Sequence, residues 1–109
     1  MSDQLQTYEF TACIDERNSK GAAKSVSVFI HDNVQKVGRY QVRFQTSGCF
    51  DIYYSPISNG SFLGPKKLAK ADAADAADPV VAAIARDLAA KGIHIPKLAD
   101  PETHLEDLV

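Results

Sequence analysis

The chain has 109 residues, of which 45% are hydrophobic and 24% charged, with a formal net charge of −2. Those values fit one folded domain of ordinary size and exclude an intrinsically disordered chain. They also exclude a long-range pull of the whole molecule toward nucleic acid or an anionic membrane.

Charge is unevenly placed. Residues 1–70 carry nine Lys/Arg against six Asp/Glu, and residues 71–109 carry three against eight. The first part is therefore mildly basic and the second acidic. Met1-Ser2-Asp3-Gln4 has no basic region and no apolar run behind it, so neither a signal peptide nor a membrane span is expected. Cys13 and Cys49 are too few for a secreted disulfide framework and lack CxxC spacing. Reduced thiols and a cytoplasmic location are expected.

Four segments alternate between apolar and polar residues. In Tyr8–Ile14, Tyr8, Phe10, Ala12 and Ile14 share a face. In Ser25–His31, Val26, Val28 and Ile30 oppose Ser25, Ser27, Phe29 and His31. In Arg39–Thr46, Tyr40, Val42 and Phe44 oppose Arg39, Gln41, Arg43 and Gln45. In Cys49–Ser55, Phe50, Ile52 and Tyr54 oppose Cys49, Asp51, Tyr53 and Ser55. Period-two alternation means one buried face and one wet face, as in antiparallel sheets. Turns are expected at Ser19-Lys20-Gly21 and Thr46-Ser47-Gly48, with Gly38 closing the Asn33–Gly38 link. Sequential neighbours then place the four segments side by side in chain order.

The Ser/Gly/Pro stretch from Ser55 to Pro65 is expected to end the sheet. Lys66–Ala77 is Ala-rich and predicts a helix. Asp78 caps a further helix with Pro79 at its first position, and Gly92 stops it. Val80, Val81, Ile84 and Leu88 form its apolar stripe, which would cover the apolar face of the sheet. Ile93-His94-Ile95 reads as extended, and Asp100-Pro101 opens a last turn through Leu105 and Leu108. The expected fold is α+β, a four-stranded antiparallel sheet followed by helices packed on one face. The sheet would occupy about 5–58, the helical half about 65–92 and an acidic tail 99–109.

The polar sheet face is the leading candidate site. Phe29, Arg39, Gln41, Arg43, Gln45 and Tyr53 lie on it by strand phase. Tyr and Arg are favoured anchors of protein interfaces. Aromatics beside guanidinium groups also suit single-stranded nucleic acid. Cys13, His31, Cys49 and Asp51 share that face, so zinc or a Cys/His nucleophile pair would need the strands to register them together. No local spacing motif supports either, and two ordinary thiols are expected. Gly64-Pro65 followed by Lys66, Lys67 and Lys70 would place basic residues at a helix start, an alternative nucleic-acid contact. Asp72, Asp75 and Asp78 oppose it. Asp87, Asp100, Glu102, Glu106 and Asp107 extend that acidity, which can mimic a phosphate backbone, as phage- and plasmid-encoded inhibitors often do.

No paired-carboxylate, Ser/His/Asp, GxGxxG or HExxH arrangement appears. The expectation is a non-enzymatic protein-interaction module, an inhibitor or adaptor with no cofactor or metal and no membrane contact. Its partner is a protein, with Phe29, Arg39, Gln41, Arg43 and Tyr53 as binding residues. The alternative is a nucleic-acid-binding module. The wet face or an edge strand also admits a homodimer.

Overall fold

The computed structural model describes residues 7–45, 49–68 and 78–109. Four long antiparallel strands come first: β1 (Glu9–Arg17), β2 (Ala23–His31), β3 (Lys36–Phe44) and β4 (Phe50–Ser58). Two short strands follow, β5 (Ser61–Phe62) and β6 (Lys66–Lys67), then helix α1 (Pro79–Ala90), a short helix α2 (Pro96–Ala99) and a 3-10 turn at Leu105–Asp107. Sheet order is β1-β2-β3-β4-β5, with β6 also paired to β4. The expected α+β class and sequential order of the long strands are present. The expected count of four is short by two.

Each connection has a local cause. Asn18 Oδ1 accepts from the backbone N–H groups of Lys20 and Ala22, which closes the β1–β2 turn. Asp32 Oδ1 accepts from those of Val34 and Gln35, so β3 begins at Lys36 and Gly38 lies inside it rather than in the link. Asn59 (φ 51°) and Gly60 (φ 79°) turn β4 into β5. Positive φ at both central residues is what a two-residue hairpin of this twist demands, and Asn-Gly supplies it cheaply. The sheet therefore does not end at Ser55. β4 continues to Ser58, and the Ser/Gly/Pro stretch contains a hairpin.

The expected helix start at Lys66 is also corrected. Lys66 and Lys67 are strand residues opposite Tyr54 and Tyr53, and Leu68 N–H donates to the Ile52 carbonyl. The exposed backbone of β4 after its second residue offers unpaired groups, and pairing them outweighs helix propensity here. The rest of the expected helix, with Lys70, Asp72 and Asp75, lies outside the described residues, as does the Thr46-Ser47-Gly48 turn.

Helix α1 starts as anticipated. Asp78 Oδ1 accepts from Val80 N–H at 2.9 Å, and its other oxygen accepts from Leu105 N–H at 2.8 Å. One carboxylate thus caps the helix and ties down the C-terminal turn. At the far end, Gly92 (φ 79°) donates to the Ala89 carbonyl and Ile93 N–H to that of Leu88, a Schellman closure. Val80, Val81, Ile84 and Leu88 join Val26, Val28, Ile30, Tyr40, Val42 and Ile52 in one buried cluster, so α1 covers the apolar sheet face. Burial of each large aliphatic side chain there contributes roughly 1.5–3 kcal/mol. Ile93 and Ile95 are buried in the same cluster, and Leu98 of α2, a helix not foreseen, joins them.

Tyr40 is fully buried, and its hydroxyl donates to Asp87 Oδ2 at 2.5 Å. Lys91 pairs with that same carboxylate oxygen and places its ammonium over the Tyr54 ring, 4.3 Å from the centroid. Burial first, then the Asp87 hydrogen bond and charge, holds the Tyr40 hydroxyl far above its ordinary value of 10.0. Among the described residues, no helix is long and apolar enough to cross a membrane, and β1 is an uncovered edge of the sheet.

Candidate interaction face

The face turned away from α1 is ordered by strand register. One row crosses Cys13, Ser27, Gln41, Tyr53 and Lys67, from β1 to β6. A second carries Thr11, Phe29, Arg39 and Ser55. A third, beyond a bulge in β1, carries Glu16, Ser25, Arg43 and Asp51. The five residues expected to bind a partner thus stand on neighbouring positions of β2, β3 and β4.

Cations lie over the rings of this face. Arg39 stands over Phe62, 4.6 Å from the ring centroid, and Arg43 over Tyr53 at 5.6 Å. Lys36 stands over Phe29 at 4.6 Å, and the Phe29 and Phe62 rings lie 6.1 Å apart. Phe29 and Tyr53 are half-buried rather than bare. A nucleobase would have to displace a neighbour before stacking on either. Phe62 is the residue that sequence reasoning missed. The Asn59-Gly60 dipeptide, a strong hairpin signal, could have found it, because the turn sets Phe62 opposite Ile57.

Serines form the floor between these long side chains. Ser27 donates to Asp15, and Ser55 is buried. Ser25 is 7% exposed, and among the described residues its hydroxyl has no hydrogen-bond partner. Arg39 Nε is likewise buried and, among the described residues, unpaired. Acid–base pairs border the face: Lys67 with Asp51 at 3.1 Å, and Lys24 with Glu16 at 3.4 Å. Gln45 also donates to Asp51, at 2.7 Å. Asp51 raises the Lys67 ammonium above its ordinary value. Lys67 is therefore partly neutralised as a phosphate contact, which weakens the basic segment as a separate site.

The thiol–imidazole set is dispersed. Cys13 lies beside Asp15, while His31 pairs across the sheet with Glu9 and touches Thr11 Oγ1. The rows of Cys13 and His31 are four steps apart along the strand, or roughly 13 Å. Cys49 lies at the opposite end, against Gln45. Among the described residues, no group of three or more His, Cys, Asp or Glu side chains could hold a metal ion. Burial, then the Asp15 charge and hydrogen bond, raises the Cys13 thiol above its ordinary value, which is unhelpful for a nucleophile. Comparison with protein-family models, with curated proteins and with solved structures gives no match.

Proposed function

We propose that this chain is a non-enzymatic protein-interaction module, an inhibitor or adaptor that binds a partner protein through the outer face of its sheet. The observation that supports it is the paired arrangement of Arg39 over Phe62 and Arg43 over Tyr53, on the outward positions of β3 that flank Gln41. Rings fix the guanidinium planes before binding, so less side-chain entropy is lost when they meet a partner. Arg and Tyr held in this way are the residue types that dominate protein interfaces.

The test is capture from lysate of the native host, run with and without nuclease, with three baits: the natural protein, Arg43→Glu, and Arg39→Glu with Arg43→Glu. Far-UV circular dichroism checks that each bait is folded. A defined protein retained by the natural bait at high salt and lost from a folded Arg43→Glu bait supports the proposal. Retention of nucleic acid that falls steeply with salt would move the function to the rival class, with Lys66, Lys67 and Lys70 as contacts. A partner held equally by all three baits would exclude this face.

A further inference from the structure

Beside Arg43, the outer face sinks into a polar hollow of about 520 Å³ lined by Glu16, Lys24, Ser25, Gln41, Arg43 and Asp51 among others. Its floor is the unpartnered Ser25 hydroxyl, flanked in register by Glu16 of β1 and Arg43 of β3. A buried hydroxyl without a partner costs stability, and a hydrogen-bonding group arriving from outside would relieve that cost. The electrical balance says which kind. Glu16 is held by Lys24, and Asp51 by Lys67 and Gln45. The lining itself carries two cations, Lys24 and Arg43, and two carboxylates, Glu16 and Asp51; Lys67, which pairs with Asp51 from outside the lining, leaves the balance positive, and Arg43 brings a planar fork of donors steadied over Tyr53.

We infer that this hollow receives one carboxylate side chain, a Glu or Asp of the partner protein, bound by the Arg43 guanidinium and the Ser25 hydroxyl, with the Gln41 amide alongside. The inference rests on the face proposed above and names the chemistry of its anchor. Arg43 and Lys24 are exposed. Swinging Lys24 aside to admit the group breaks no core packing, and its surface pairing with Glu16 is weak, while Arg43 keeps its place over Tyr53. Arg–carboxylate recognition is favoured because two parallel N–H···O bonds can form.

The experiment uses isotope-labelled protein and three probes followed by amide NMR shifts: a short end-blocked peptide with one central glutamate, its glutamine counterpart, and sodium acetate. The glutamate peptide is expected to shift the amides of Ser25, Gln41 and Arg43 saturably, the glutamine peptide not at all, and acetate more weakly. Ser25→Ala is expected to weaken the glutamate peptide roughly tenfold, the loss of one hydrogen bond to a charged group. Arg43→Gln should abolish binding. Absence of saturable shifts, equal affinity for acetate, or an unchanged Ser25→Ala variant would each overturn the inference. A captured partner lost with Arg43→Glu but indifferent to Ser25→Ala would remove the hollow and leave the face standing. Indifference to both would remove both.

Discussion

Gly38 sits in β3 opposite Pro56, with the Tyr54 ring lying against its α-carbon. A β-carbon there would fall 2.7 Å from both Cε1 and Cζ of Tyr54, and closer still to its hydroxyl oxygen. Carbon atoms prefer about 3.5–4.0 Å, so Gly38→Ala forces the ring back by roughly 1 Å. The ring has little room. Tyr40 lies 4.7 Å away, centroid to centroid, and Lys91 covers it. Overpacking of this kind costs about 1–3 kcal/mol. Against it stands the reduced freedom of the unfolded chain, worth about 0.4–1 kcal/mol for Gly to Ala. The net expectation is a loss of about 1–2 kcal/mol, read as a lower urea midpoint with an unchanged slope. The offending atoms belong to a ring and lie beyond the reach of leucine. In a Tyr54→Leu background the same Gly38→Ala change should therefore be neutral or stabilising, a reversal of sign. An equal loss in both backgrounds would refute the steric account.

Three further outcomes are expected. Tyr40→Phe should cost about 1.5–3 kcal/mol, the value of a hydrogen bond to a charged group. The raised Tyr40 hydroxyl makes its contribution fully present below the unfolded value, near pH 10, and lost as pH rises above it. Urea titrations through that window should show an alkaline decline that the Phe variant lacks or shows weakly. Asp78→Asn keeps one acceptor oxygen where Asp78 uses two, for Val80 and Leu105. It should leave α1 formed by circular dichroism while hydrogen exchange at Leu105 accelerates. Asp15→Asn removes a charge that raises the Cys13 thiol, so alkylation of Cys13 near neutral pH should speed up.

The long strands were legible because their alternation is strict and one face is buried. Val26, Val28 and Ile30 read as inward and are inward. Helix α1 was legible because Asp78, Pro79 and Gly92 punctuate it by chemistry that acts locally. Lys66-Lys67 was not, because its strand exists only where β4 offers a partner, a tertiary cause that helix propensity does not encode. The outward phase of Phe29, Arg39, Gln41, Arg43 and Tyr53 was legible residue by residue. The stacking of cations on rings was not, since it depends on strand register and on Phe62 returning through a hairpin. The convergence imagined for Cys13, His31 and Cys49 failed for a related reason. Shared face is a period-two property, whereas proximity along the strands needs the register.

The two sides of the sheet are unequal. β5 and β6 occupy the free flank of β4, with Leu63 and Leu68 also donating to its carbonyls, while β1 is bare among the described residues. Among the described residues β1 is thus the one long bare edge, the opposite edge being the two-residue strands β5 and β6. If two copies met along β1, antiparallel and about a two-fold axis, each would cover the other's long bare edge and the joint would close on itself. Pairing at that edge is isologous, so it ends at two copies.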